Sequence, residues 1–207
     1  MAARTLSRGR WALGFDVDVG MQPSFHLLAV SGSLRTGSVN TEVLRAIIQV
    51  APDDVKIANY DGLARLPHFN PDDEISTQSA AVADWRAQLQ NADAVIICSP
   101  EYAHGVPGVL KNALDWVVGT GEFMYKPVAL INASPASKFV GPQLSETITV
   151  MMGNVVPAAS ITLSIAGTKR DATSIVGNDE LVVELRGALI ALTNAVNAHR
   201  AAVDARA

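Results

Sequence analysis

Ala94–Cys98 (AVIIC) is an unbroken apolar run that gives way at once to a polar loop marked by proline and glycine. A strand apolar at every position is buried on both faces, which is the situation of a parallel strand covered by helices. The same grammar recurs along the chain. Phe25–Val30 (FHLLAV), apolar apart from His26, reads as a second buried strand, followed by Val39, Val43, Leu44, Ile47 and Ile48 at helical spacing over 39–50. Further strands are expected at Val55–Tyr60, at Pro127–Asn132 and within Ala159–Ala166. Asp61–Thr77 reads as a turn-rich connection. Helices are expected over Gln78–Asn91, from Pro107 with an inner stripe of Val106, Val109, Leu110, Ala113, Leu114 and Val117, and over Gln143–Met152. A last helix is expected over Asp179–Ala198, with Leu181, Leu185, Leu189, Leu192 and Val196 facing in. Five strands alternating with helices predict a doubly wound α/β fold, a parallel sheet with helices on both faces. Ligands of such sheets bind beyond the carboxyl ends of the strands, which gathers the loops 31–38, 99–106 and 133–142 at one edge.

Between the first strand and first helix lies SGSLRTGSVN, residues 31–40. The free N–H groups of a helix start, with the positive end of its dipole, favour an anion. Ser33, Ser38 and Asn40 are hydrogen-bond donors and Arg35 adds a charge-assisted one. Gly32 and Gly37 let the backbone curl close to a ligand. The stretch reads as a phosphate cradle. Neither a Walker pattern nor GxGxxG is present, which disfavours ATP and a Rossmann dinucleotide.

Composition narrows the classes. A chain of 207 residues suits one domain. Residues 1–20 read as an extension outside the fold, with Met21 a possible natural start and 21–207 the domain. Hydrophobic residues at 49% and charged ones at 17% point to self-association. A net charge of −4 argues against a nucleic-acid partner. No apolar run approaches the ~20 residues that cross a bilayer, so no membrane partner is expected. The single Cys98 excludes an intrachain disulfide, and His26, His68 and His199 form no metal-ligand spacing. A soluble, reducing, cytoplasmic setting is the expectation.

The loop after the third strand continues Pro100-Glu101-Tyr102-Ala103-His104-Gly105 and leads into the helix that carries Lys111, Asn112, Asp115 and Trp116. Together, GSLRxGSxN and PEYxHGxPGxLKNAxDW resemble the NADPH-dependent FMN reductase family of flavodoxin-like quinone, azo-dye and chromate reductases, over Phe25 to the last helix. The resemblance implies a flavodoxin-like FMN-binding domain. It implies that Ser33, Arg35, Ser38 and Asn40, with Ser31 and Val39, hold the FMN phosphate. It implies that Pro100, Glu101, Tyr102, Ala103, His104, Gly105 and Ser134 line the ribityl chain and the ring. NADPH or NADH is then the co-substrate, and a quinone, azo compound, free flavin or metal oxyanion the small-molecule acceptor. Chemistry on the flavin needs no side-chain nucleophile, and subunits of a homodimer or homotetramer wall the pocket.

Alternatives stand beside several residues. His104 is either a proton or substrate contact or a subunit contact; Glu101 either touches flavin or bonds across an interface. Cys98 is expected to pack, Lys111 and Asp115 to form a surface ion pair, and Trp116 to lie in the core or an interface. Two departures from the family pattern concern the ring. Ala103 replaces the asparagine many relatives carry, and Ala136-Ser137-Lys138-Phe139-Val140-Gly141 has one glycine where a pair is usual, so that either backbone approach to the flavin is blocked or Phe139 reshapes the pocket. The rival functions are a flavodoxin-like electron carrier and an interaction module without flavin.

Overall fold

The computed structural model describes residues 25–76, 79–165 and 171–205. The proposed extension 1–20 and the start at Met21 lie outside them. The elements are β1 (Phe25–Ser31), α1 (Val39–Val50), β2 (Val55–Tyr60), α2 (Pro71–Ser76), α3 (Ala80–Asn91), β3 (Ala94–Cys98), α4 (Gly108–Asp115), β4 (Pro127–Ile131), α5 (Val140–Val150), β5 (Asn154–Val155), α6 (Ala172–Val176) and α7 (Asp179–Asp204). The five strands are parallel, in the order β2-β1-β3-β4-β5. That order is the flavodoxin-like one, with its switch point between β1 and β3.

β1, β3 and β4 divide their side chains between two cores. Leu27, Ala29, Ile96, Cys98, Ala129 and Ile131 face α1 and α7. Leu28, Val30, Val95, Ile97 and Val128 face α3, α4 and α5. The inward stripe of α7 is as expected, Leu181, Leu185, Leu189, Leu192 and Val196 all being buried. The helix runs on to Asp204, and by length and mean hydropathy (1.3) it is apolar enough to cross a membrane. The run-by-run reading of the sequence missed that property, because the apolar residues are spread along the helix. In the fold its inward stripe is committed to the sheet.

Three differences from the expected elements have identifiable physical causes. The 61–77 connection contains a helix, α2, because Asn70 takes the Asp72 N–H on its side chain and Pro71 occupies the first helical position. α5 starts at Val140 rather than Gln143, since a side chain from another loop satisfies its first N–H groups. The fifth strand is Asn154–Val155 rather than a run within 159–166. Pro157 turns the chain into a short 3-10 helix, Pro157–Ala159, after which Ser160 Oγ accepts Leu130 N–H of β4 at 3.1 Å and Thr162 forms an isolated bridge with Asn132. Ala166 lies outside the described residues.

Candidate flavin site

Register brings the candidate loops together. Ser31 pairs with Cys98 and Cys98 with Ile131, so β1, β3 and β4 end level and their loops leave the sheet side by side. The first two loops touch. Gly32 N–H donates to Cys98 O at 2.9 Å, and a Cβ on Gly32 would lie 2.4 Å from Ser99 Oγ and 2.8 Å from its Cβ. Only glycine fits there. Gly37 needs its freedom for a different reason, a φ of +70°.

The β1–α1 loop is shaped by its own hydroxyls. Ser31 Oγ lies 2.8 Å from Thr41 Oγ1 and accepts Ser33 N–H at 3.3 Å, while Ser33 Oγ accepts Arg35 N–H at 3.3 Å. Ser38 is buried at the N-cap of α1, yet its hydroxyl makes no cap hydrogen bond. The first helical bond runs from Glu42 N–H to Ser38 O at 3.0 Å, so the preceding N–H groups at Val39, Asn40 and Thr41 open the helix without an i−4 acceptor. Arg35 is exposed and forms no ion pair among the described residues. Val39 and Asn40 line a cleft of about 300 Å³ with Ser99, Pro100, Glu101, Asn132, Ala133 and Ser134. Ser33, Arg35, Tyr102, Ala103, His104 and Gly105 are outside its lining. A second cavity of about 500 Å³ adjoins it, sharing Ser99, Asn132 and Ser137 and floored by Ile97, Leu130, Leu144 and Val155.

The β3–α4 loop folds into a tight turn. Tyr102 and Gly105 exchange both backbone hydrogen bonds (3.1 and 2.9 Å), leaving Ala103 (φ +49°) and His104 (φ +59°) at its tip. Two left-handed residues in succession make a type I′ turn, which suits asparagine and glycine better than alanine. The Glu101 carboxylate turns away from the tip and accepts the N–H groups of Phe139 (2.6 Å) and Val140 (3.1 Å), capping α5. Those bonds, the Phe139 one foremost, hold its pKa below the ordinary carboxylate range. Gln143 on α5 reciprocates, donating to His104 O at 2.8 Å and accepting Val106 N–H at 3.2 Å. The His104 ring stacks on Phe139 with centroids 4.3 Å apart. So the residue that breaks the glycine pair becomes the seat of the turn, and Glu101 engages α5 through Oε2 alone.

In the β4–α5 loop Asn132 Nδ2 donates to Ser137 O (2.9 Å) and its Oδ1 accepts Ser134 N–H (3.1 Å), while Ser134 Oγ accepts Ala136 N–H (3.3 Å). Sequence reasoning passed over Thr41, Asn132 and Gln143. Asn132 was legible as the first polar residue after an apolar strand. Gln143 carries no local signal, because its partners lie 37 and 39 residues away.

The remaining motif residues are structural. Asn112 accepts Phe69 N–H (2.7 Å) and donates to Pro67 O (2.9 Å), and Trp116 Nε1 donates to the same oxygen (2.8 Å). Lys111 and Asp115 form the expected surface pair. Cys98 is fully buried, as expected, and burial pushes its thiol pKa up.

Comparison with known proteins follows the same lines. An NAD(P)H-dependent FMN reductase of Pseudomonas aeruginosa is 37% identical over 116 residues, 55% of this chain and 62% of the relative. A quinone reductase of Escherichia coli K12 is 35% identical over 98 residues, 47% of this chain and 52% of the relative. The matched stretches thus span between about half and three-fifths of these relatives. The fold is that of the solved flavoenzyme NAD(P)H:(acceptor) oxidoreductase FerB from Paracoccus denitrificans, with a TM-score of 0.69, 22% identity and coverage of 84% of this chain and 98% of that one. A flavodoxin, WrbA-like protein from Agrobacterium tumefaciens shares it at a TM-score of 0.53 and 16% identity, covering 81% and 98% of the two chains. Residues 25–168, most of the chain, match the sequence profile described as NADPH-dependent FMN reductase, and the chain belongs to that family.

Proposed function

We propose that the protein is an FMN-dependent NAD(P)H oxidoreductase that passes reducing equivalents to a small-molecule acceptor such as a quinone or an azo compound, with free flavin or a metal oxyanion as further acceptors. The observation that carries the reading is the contact between Gly32 and Ser99, which joins an anion-ready helix start to the loop expected to brace a flat ring. The residues present fit the group. Among the described residues the Arg35 guanidinium has no ion-pair partner and the Ser38 hydroxyl no cap bond, and with the opening N–H groups of α1 they suit a phosphate. The cleft lined by Asn40, Ser99, Pro100 and Ser134 suits the ribityl chain. The turn at 102–105 presents backbone and an aromatic side chain to the ring.

FMN, when bound, supplies the chemistry, accepting hydride from a nicotinamide and delivering electrons onward. The protein contributes position and field. Arg35 and the α1 terminus fix the phosphate, the 102–105 turn presents a wall to the ring, and the α5 contacts hold that turn still. Exposed Tyr102 and Phe139 give the mouth aromatic surface, suited to flat acceptors. The reading also includes assembly of like subunits and a cytoplasmic setting, where reduced nicotinamides are at hand. Chemistry on a small ring with a modest net charge of −4 favours an enzyme over a carrier that docks on partner proteins.

An anaerobic absorption spectrum tests this directly. FMN-loaded protein should show flavin bands that bleach on adding NADPH, and NADPH oxidation should be sustained when a naphthoquinone is supplied. Bleaching without sustained turnover identifies a carrier. A protein that stays colourless after incubation with FMN overturns the reading.

A further inference from the structure

Cys98 closes β3 with its side chain wholly buried, and its Sγ lies 3.3 Å from Asn40 Oδ1, to which it donates. Burial raises the thiol pKa, so the group is a protonated donor across the physiological range. Asn40 stands in the first turn of α1, 8% exposed, and lines the cleft shared by the three loops. A carboxamide has an acceptor end and a donor end of nearly the same shape. With the thiol holding the oxygen, the nitrogen is the end left for the cleft, and among the described residues nothing accepts from Nδ2. The neighbouring polar side chain offers no substitute lock, because Ser99 Oγ is bonded to Pro100 O at 3.0 Å. An asparagine free to turn over would present its oxygen to the cleft part of the time and repel a phosphate or ribityl oxygen.

We propose that Cys98 is a positioning residue for cofactor binding: its S–H fixes the Asn40 carboxamide so that Nδ2 faces the cleft as a donor to an oxygen of the flavin's phosphate and ribityl tail. The proposal rests on the FMN reading above. It gives the one cysteine of the chain a task that neither redox chemistry nor nucleophilic attack could give a buried thiol.

The experiment is a double-mutant cycle read by quenching of FMN fluorescence. Cys98→Val keeps the apolar bulk and removes the donor, Cys98→Ser keeps a donor, and Asn40→Ala removes the carboxamide. Cys98→Val should raise the Kd for FMN about fivefold, the size of one modest hydrogen bond. Cys98→Ser should restore it to within about twofold, and Cys98→Val should add nothing in the Asn40→Ala background. The proposal is overturned if Cys98→Val binds FMN like the parent, or weakens binding equally with and without Asn40. A second readout needs no cofactor. In the ligand-free protein the Asn40 side-chain amide should give one sharp pair of NMR resonances that Cys98→Val broadens or shifts and Cys98→Ser leaves in place. If the parent protein itself fails to bind FMN, the FMN reading falls. Should the Asn40 resonances then also ignore Cys98→Val, the orienting role falls separately. Where Cys98→Val fails to fold, Cys98→Ala serves in the same cycle.

Discussion

Ala103 and His104 hold side chains where the backbone prefers none. Their positive φ angles fit a type I′ turn, whose tip favours Asn and Gly. Ala103 stands where many relatives carry asparagine, a change that also removes one potential hydrogen bond beside the ring. The backbone adds a second cost: asparagine tolerates the left-handed region better than alanine does. Ala103→Asn should therefore stabilise the protein by about 0.5–1 kcal/mol, measured as a rise in the urea midpoint at constant slope. Arg35 has the opposite character, an exposed cation without an ion-pair partner among the described residues. Replacing it with alanine should weaken FMN binding by ~1.5–3 kcal/mol while leaving the urea midpoint of the ligand-free protein in place. A cofactor affinity that ignores this change would remove Arg35 from the cradle.

At the scale of elements, what was legible depended on how far away the cause lay. The start of α2 was written locally in Asn70-Pro71-Asp72-Asp73, a cap residue, a proline at the first position and acids in the first turn. It was overlooked among turn residues that share the same alphabet. The start of α5 was not legible at all, because Glu101 reaches it from 38 residues upstream. β5 misled in another way. The apolar stretch after Ser160 has strand composition, but Pro157 had already taken the chain out of the ladder. The Glu101 cap has its own pH signature. A carboxylate whose folded pKa is depressed adds stability above its unfolded value, about 4.3, and loses it as pH falls through the folded value. The stability gap between the parent and Glu101→Gln should thus be largest near neutrality and shrink as pH falls below about 4.3. Chemical unfolding at pH 7 and at more acidic values tests that sign.

Across the whole molecule, the parallel sheet was the most legible feature. A strand covered on both faces cannot hide its composition, and β3 is buried at all five positions. Two separate cores grip one sheet, so neither layer stands alone. Leu192→Ala on the α7 side and Leu110→Ala on the α4 side, both at fully buried positions, should each cost about 2–5 kcal/mol. In both variants fluorescence and far-ultraviolet dichroism should report one shared transition, whereas two separated transitions would mean the layers unfold independently. Saturating FMN should stabilise the folded protein, by about 2.7 kcal/mol at a hundred times its Kd, seen as a raised unfolding midpoint. The cofactor reading was legible because two motifs met a strand-to-helix context. The contacts that steady the 102–105 turn were not, since they come from α5, which packs against β4 and β5 far along the chain.

The missing side chain at Gly32 has a consequence for anyone who would rebuild this protein. With Ser99 pressed against that bare α-carbon and the Gly32 amide tethered to the Cys98 carbonyl, the two turns are inherited as one piece. A graft of residues 31–40 onto another scaffold would arrive without its floor unless the segment around Cys98 and Ser99 travelled with it.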